Sequence, residues 1–387
     1  MLQFTASQQL NTLPFTFKTT GIRVYSFEEV LYHVYHYWRE SVDDFLSDGM
    51  IAWVTEIGHS YLAARMKEIS KKEPFTQRIL DFLKLIEYFS QKEINTLKSN
   101  LEAWEMRREW EKLKERADFL VHRGEPNKAL PLYKRALQYE ENANLLNNMG
   151  VVYMQLSEPK DALRQLTRAL TLDPKNVSIM MHYIESAILN ENYDSAAKIL
   201  AKAKELKPDC ADIPFLSGLM AYSQKNFTEA LDFMDEAIKL DPSVPYYVYK
   251  TVDIHMAIRQ YDKATQILEQ VENKDVLYYT KEAELHERAG DIPAAIRAMT
   301  QAAQSTVTAD STANANLWAR LAGYHRQNYD MEQAEEAIKK AITIAPHNDL
   351  VQLENARIKK GLGRTREYQA ALNDVLKGFK DKYRAEA

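Results

Sequence analysis

Two histidines three positions apart, His33 and His36, fall on one side of a helix and can bring two imidazoles to one metal ion. A zinc site needs further ligands, and neither a nearby Cys nor a Glu-x-x-His pattern supplies them. The pair therefore reads as packing or surface histidines among aromatic neighbours. Asp43, Asp44, Asp48 and Gly49 hint at a calcium loop, but their spacing departs from the EF-hand pattern and the terminal Glu is absent. They read as a helix-capping turn. Cys210 is the one cysteine, so no internal disulfide and no Cys-ligated zinc can form, which fits a reducing compartment. It follows a helix stop and has no His partner in sequence. Gly361-Leu-Gly363 follows a helix and lacks the third glycine of a nucleotide loop. Walker A, Gly-x-Ser-x-Gly and His-Glu-x-x-His patterns are missing. Arg357, Lys359, Lys360, Arg364 and Arg366 form a basic cluster that can touch a nucleic acid or an acidic partner. The reading of a solvated helix end is favoured over it. No catalytic, cofactor-binding or metal-ligating constellation emerges, so the chain is expected not to be an enzyme and to need no cofactor.

The elements that would carry any site are helices. The chain has 387 residues, 45% hydrophobic and 27% charged, with 11 Gly and 12 Pro, too few for a β-sandwich dense in turns. A net charge of -5 argues against a general nucleic-acid or membrane footprint. No run approaches the roughly 18–20 apolar residues of a membrane helix. Met1 to Phe17 lacks the basic start and apolar core of a signal peptide. The expected location is the cytoplasm.

One pattern recurs along the chain. An alanine stands at Ala129, Ala162, Ala196, Ala230, Ala264, Ala295 and Ala334, in steps of 33, 34, 34, 34, 31 and 39. A second alanine follows at Ala136, Ala169, Ala203, Ala237, Ala302 and Ala341. A proline stands five residues later at Pro174, Pro208, Pro242 and Pro346. Small residues lie twelve positions before the first alanine at Ala117, Gly150, Gly218, Ala283 and Ala322. The physics is that of paired short helices. Small residues let two backbones cross closely, proline ends the second helix, and units that cannot bury an apolar face alone must stack. The 31-residue step predicts a tightened connection around Asn273 to Leu277. The 39-residue step predicts a surface loop at Ser305 to Asn316.

A period near 34 with this small-residue and proline pattern resembles the tetratricopeptide repeat (TPR). The expected fold is all-α, a TPR superhelical solenoid of about seven repeats over 105–346, with degenerate capping helices at 347–387. In that family the first helix of each repeat lines a concave groove that takes peptides or helices. The resemblance places Asn147, Asn148, Met181, His182, Phe215, Leu216, Leu219, Tyr222, Tyr246, Tyr249, Lys250, Asp253 and Met256 there. It also puts Glu185, Lys281, Glu284, Arg320 and Arg326 on that face. A chaperone-type carboxylate clamp is resembled at Lys114 and Asn148, but Asp118 stands where an Asn is expected, and the basic pair is replaced by Ser178 and His182. An anion at that point repels a carboxylate ligand. The Met, Phe, Leu and Tyr side chains of repeats three to five instead suit an apolar or aromatic peptide segment or an amphipathic helix. The other reading of this stripe is cover by the chain's own N-terminal arm or by helix packing.

Residues 1–24 read as an extended arm or short strands, and 25–104 as a small helical domain. Ser26 and Glu29 form a capping box opening Phe27 to Trp38. Helices are expected at Met50 to Ile57, His59 to Ile69 and Phe75 to Phe89, with one long helix over Lys92 to Leu120. The segment from Gly21 to His36 resembles the N-terminal module of uncharacterised TPR proteins of Firmicutes, which implies a bacterial cytoplasmic origin and no activity. The expected function is a non-enzymatic scaffold binding a protein or peptide. The alternative is a peptide-sensing regulator whose repeats control the N-terminal domain, although no helix-turn-helix pattern is present. An enzyme-associated adaptor, or an N-terminal domain with an activity of its own, is a third reading. Oligomeric state is not legible.

Overall fold

The computed structural model describes residues 13–305, 311–346 and 348–384. Two compact units divide the chain, residues 1–182 and 183–387. Among the described residues 21 helices and a single two-stranded hairpin occur. None of the helices is long and apolar enough to cross a membrane.

Unit 1 opens with the hairpin of β1 (Phe15–Thr16) and β2 (Arg23–Val24), antiparallel with Phe15 opposite Val24 and Thr16 opposite Arg23. Five helices follow: α1 (Phe27–His36), α2 (Asp48–Glu56), α3 (Ser60–Ile69), α4 (Phe75–Leu83) and α5 (Gln91–Glu105). Ser26 caps α1 by accepting the Glu29 N–H at 3.2 Å. The Glu29 carboxylate reaches one residue further than a capping box requires, to the Tyr25 N–H at 2.6 Å. Phe27, Met50, Met66, Ile79, Phe82 and Leu101 are fully or almost fully buried in one core with Phe17 and Val24. Trp38 and Trp104 meet edge to face at 5.2 Å. Asp44 accepts the Lys18 N–H at 2.7 Å and Asp43 pairs with Arg116, while the cap of α2 is Ser47 rather than an acidic residue.

The expected long helix over Lys92 to Leu120 is two helices. α5 stops at Glu105 and α6 (Glu109–His122) begins after a break at Met106–Arg108. The break is held by the Glu111 carboxylate, which accepts the Arg108 N–H at 2.9 Å. Likewise α4 ends at Leu83, short of Phe89, where turns take over.

From α6 onward the helices come in pairs. α6 packs on α7 (Pro126–Tyr139), and α8 (Ala143–Gln155) on α9 (Pro159–Leu172). Then come α10 (Val177–Leu189) and α11 (Tyr193–Leu206). In unit 2, α12 (Asp212–Ser223) packs on α13 (Phe227–Leu240), α14 (Pro245–Ala257) on α15 (Tyr261–Leu268), and α16 (Val276–Ala289) on α17 (Ile292–Ser305). α18 (Ser311–Gln327) packs on α19 (Met331–Ile344), and α20 (Asp349–Gly361) on α21 (Thr365–Arg384). This is the all-α TPR solenoid fold. The repeated alanines explain the pairing. Ala129, Ala162, Ala196, Ala230, Ala264, Ala295 and Ala334 have no exposed surface, because each is buried where a helix crosses its neighbour. Where the position before them is glycine the approach is tighter still. A Cβ on Gly150 would stand 2.5 Å from Leu166 Cγ, and one on Gly218 3.0 Å from Met234 Cε.

The irregular steps have different origins from those expected. The 31-residue step arises in α15, which has 8 residues where α7, α9, α11 and α13 have 14 each. No proline stop is needed there, and the connection to α16 is longer rather than tighter. At the 39-residue step, α18 already begins at Ser311, so Ser311 to Asn316 is helix and not loop. Alanine favours helix, and Ala315 is fully buried in the same core as Ala302. Residues 306–310 of that segment lie outside the described residues.

Candidate partner-binding surface

In unit 2 the first helices of successive pairs, α12, α14, α16 and α18, share a cavity of about 470 Å³, a size ordinary for a ligand site. Its lining is mixed: apolar side chains of Leu219, Tyr222, Met234, Ile254 and Met256 stand beside charged ones of Lys250, Asp253, Lys281, Glu284, Glu287, Arg288 and Arg320.

The charges are arranged as a ladder across three helices. Lys250 stands 3.6 Å from Asp253 on α14. Lys281 on α16 donates to Asp253 at 2.8 Å and to Glu284 at 2.8 Å. Arg320 on α18 donates to Glu284 at 2.9 Å, and the Tyr324 hydroxyl donates to Glu287 at 2.9 Å. Burial opposes charge on Glu284, but hydrogen bonds from Lys281 and the nearby Arg320 outweigh it and hold the carboxyl below its ordinary range. Burial likewise works against charge on Lys281, and Asp253 and Glu284 overcome it, raising its pKa. Glu185, on the unit 2 part of α10, goes the other way. Its pKa is raised by burial, only partly countered by the charge of Lys250.

Of the sequence-selected residues in unit 2, Leu219, Tyr222, Lys250, Asp253 and Met256 come together on this cavity. Phe215, Leu216 and Tyr249 are buried, at 6%, 4% and 3% exposure, and Met256 at 3% shows the cavity only an edge. Helix-to-helix packing takes these side chains because a first helix of a stacked pair has neighbours on several sides. Phe215 meets Tyr246 at 5.4 Å and Tyr247 at 5.0 Å. Tyr246 is 45% exposed, with the Lys250 ammonium 5.3 Å from its ring. Burial, with Asp275 nearby, pushes the Tyr249 hydroxyl up to about 12.

In unit 1, Asn147, Asn148 and His182 are half-buried and bonded to protein, and Met181 is half-buried. Asn147 Oδ1 lies 2.8 Å from His182 Nδ1. Asn148 Nδ2 donates to Asp118 Oδ1 at 3.0 Å, Lys114 Nζ lies 2.6 Å from Asp118 Oδ2, and the Tyr133 hydroxyl also bonds this carboxylate. Asp118 thus takes with its own carboxylate the donors that a ligand carboxylate would need in a clamp. Burial, and then the bond to Asp118, raise the Tyr133 hydroxyl far above its usual range.

His33 and His36 do not converge on an ion. His33 is 2% exposed, with Nε2 2.8 Å from Thr20 Oγ1 and Nδ1 3.2 Å from Ser41 Oγ. His36 lies against Tyr32 and Tyr35. Among the described residues no group of three or more His, Cys, Asp or Glu is placed to hold a metal.

Met234, Ile254, Glu287 and Arg288 also line the cavity and lie outside the residues that the repeat register points to. Glu287 and Arg288 lie one turn beyond Glu284 on the same helix, so extending the helical face by i+3 and i+4 finds them. Met234 comes from a second helix, which the register of first helices alone does not reach.

Comparison with known proteins agrees with this architecture. The tetratricopeptide repeat family model matches residues 114–176, 185–245 and 280–349, and a second tetratricopeptide repeat model matches 153–213. Protein O-mannosyl-transferase TMTC3 of Homo sapiens is 26% identical over 249 residues, covering 61% of this chain and 26% of that protein. BBSome complex member BBS4 of Bos taurus is 27% identical over 150 residues, 38% of this chain and 28% of that protein. The chain therefore spans only about a quarter of the length of these relatives. A tetratricopeptide repeat protein from Parabacteroides merdae, solved by crystallography, aligns over 64% of this chain and 97% of its own, at 18% identity and a TM-score of 0.44.

Proposed function

This chain belongs to the tetratricopeptide-repeat family, and from that premise we propose that it is a non-enzymatic scaffold that binds a protein or peptide segment against the first helices of its repeats. The observation that carries the reading is the cavity shared by α12, α14, α16 and α18, lined by both apolar and charged side chains. A peptide with one large apolar side chain would set it against Leu219, Tyr222 and Met256. Its main chain and polar groups would meet the ladder from Asp253 to Arg320. Within unit 1, Asn147, Asn148, Met181 and His182 are proposed by themselves as partner-binding residues. Asn147 and Asn148 are there already engaged with His182 and Asp118, so they would act by exchanging partners.

The test is recovery of partners from the native cell, identified by mass spectrometry, with the intact chain and with Leu219→Glu. Loss of a partner from a variant of unchanged thermal stability supports the reading. Equal recovery by both chains overturns the groove assignment.

The second reading, a peptide-sensing regulator, draws on contacts inside unit 1. Arg39 pairs with Glu115 at 2.8 Å, Arg116 pairs with Asp43, and Arg123 donates to the Thr20 carbonyl at 3.1 Å. These join the N-terminal region, proposed as a domain over 25–104, to the first repeat. A gel shift with duplex DNA, using the intact chain with and without a captured peptide, separates this reading from a plain scaffold. The resemblance of Gly21 to His36 to Firmicutes proteins and the single Cys support a bacterial cytoplasmic setting, which cell fractionation tests.

A further inference from the structure

A second cleft, of about 520 Å³, lies in unit 1 far along the chain from the repeat cavity. It is lined by β2 with the flanking Ile22 and Tyr25, by Glu28, Glu29, Tyr32 and His33 of α1, and by Tyr37 and Tyr88. Tyr25, Tyr32 and Tyr88 are 48%, 52% and 49% exposed, an unusual concentration of half-open aromatic rings. None of the repeat chemistry uses them.

The hairpin explains what the cleft offers besides rings. Phe17 N–H donates to the Ile22 carbonyl at 3.0 Å, and Phe15 faces Val24. Hydrogen-bonded and non-hydrogen-bonded pairs alternate in an antiparallel ladder, so the Thr16–Arg23 pair is of the non-bonded kind. The Arg23 N–H and C=O consequently point away from β1. Tyr25, two residues on, has the same outward direction, and its N–H is taken by Glu29 Oε2 at 2.6 Å. Glu29 lines the cleft. The open edge of β2 therefore faces the cleft, with one main-chain donor and one acceptor, both on Arg23, left for another strand. Among the lining side chains two carboxylates stand against one guanidinium, and Glu28 makes no ion pair with any described residue.

We propose that this cleft binds an extended segment of a partner protein by strand addition. The segment lies along β2, exchanges a pair of main-chain hydrogen bonds with Arg23, sets an aromatic or large aliphatic side chain among Tyr25, Tyr32 and Tyr88, and presents a Lys or Arg to Glu28. Main-chain bonding to an edge supplies register, and the ring pocket and the carboxylate supply selectivity. The site is separate from the repeat cavity, so the chain would carry two peptide-recognition surfaces.

The experiment uses the intact chain and a fluorescein-labelled probe, Ser-Arg-Tyr-Thr-Tyr-Arg-Ser, with blocked ends, followed by anisotropy. Saturable binding is expected. Replacing both probe tyrosines by serine, or N-methylating the central threonine amide, is expected to weaken it by about tenfold or more. Tyr32→Ser and Tyr88→Ser are expected to do the same without loss of helicity by circular dichroism. Glu28→Lys, a change at the cleft rim, is expected to shift preference toward a probe with Glu in place of Arg, and Leu219→Glu to change nothing. Absence of saturable binding overturns the proposal, as does indifference to N-methylation. So does binding lost in Leu219→Glu but kept in Tyr32→Ser. Binding that appears only after residues 1–12 are removed, or self-association abolished by Tyr32→Ser, assigns the cleft to the chain itself and overturns the external partner.

Discussion

The imidazole of His33 lies flat on the ring of Phe17, with centroids 3.6 Å apart and planes 11° from parallel. Its hydrogen bonds define its charge state. The Ser41 hydroxyl donates to the Tyr37 carbonyl at 2.7 Å, so it accepts from Nδ1–H of His33. Nε2 is left as the acceptor for the Thr20 hydroxyl. A proton on Nε2 would reverse that bond and leave the Thr20 hydroxyl hydrogen to find another acceptor in the core.

His33 should therefore make the stability of unit 1 depend on pH. Burial first, and the charge of Arg123 second, lower its pKa from 6.5 to about 4. Between these values the unfolded chain holds more protons than the folded one, so stability falls as pH drops from about 6.5 and levels off below about 4. The loss is at most roughly 3 kcal/mol, because a tenfold change in proton affinity is worth about 1.4 kcal/mol. Urea midpoints followed from pH 7 to pH 4 check it. His33→Gln, which keeps a donor and an acceptor, should flatten that part of the profile.

Glycine at the helix crossings should be irreplaceable at one position and nearly neutral at another. In Gly150→Ala the new methyl would stand 2.5 Å from Leu166 Cγ. Overpacking of about 1–3 kcal/mol exceeds the gain of roughly 1 kcal/mol from better helix propensity. In Gly218→Ala the nearest atom, at 3.0 Å, is the mobile end of Met234, with the Ala230 carbonyl at 3.1 Å. There the two effects roughly cancel. Thermal denaturation of both variants should rank Gly150→Ala clearly below Gly218→Ala.

Core and groove substitutions should separate stability from binding. Tyr249, 3% exposed, should cost about 3–5 kcal/mol when cut to Ala, judged from large-to-small changes in cores. Leu219, half-buried at the cavity, should tolerate Glu with a change of about 1 kcal/mol or less in stability while losing partner recovery. Chemical denaturation read beside pull-down distinguishes the two outcomes.

The charge ladder should behave non-additively. Lys281→Ala leaves Asp253 with Lys250 and Glu284 with Arg320, so its cost should be about 1 kcal/mol. Arg320→Ala alone leaves Glu284 with Lys281. The double variant strands Glu284, whose side chain is only 30% exposed, and should cost about 1 kcal/mol or more beyond the sum. A double-mutant cycle in urea measures the excess.

The helix pairs were legible because small residues and prolines recur at a fixed period, and each such residue has one local geometric duty. Ala162 and Pro174 could be placed before any coordinates. The break at Met106–Arg108 was not legible, since it depends on Glu111 capping rather than on a breaking residue. Nor was the shortening of α15, because a missing turn of helix and a tightened connection give the same step between alanines. On the candidate surface, the register points to Leu219, Tyr222, Lys250 and Asp253, which line one cavity. It does not separate them from Phe215, Leu216 and Tyr249, because a helix packed on several sides buries residues beyond the stripe that faces its own partner.

Each inner member of the ladder on α14, α16 and α18 has two opposite charges within reach: Asp253 has Lys250 and Lys281, Lys281 has Asp253 and Glu284, and Glu284 has Lys281 and Arg320. An incoming group of either sign can borrow one of them without leaving its former neighbour naked. A ligand carboxylate can draw on Arg320 while Lys281 still serves Glu284, and a ligand ammonium can draw on Asp253 while Lys281 falls back on Glu284. The cavity is in this sense amphoteric, and it can change customers without rebuilding its walls.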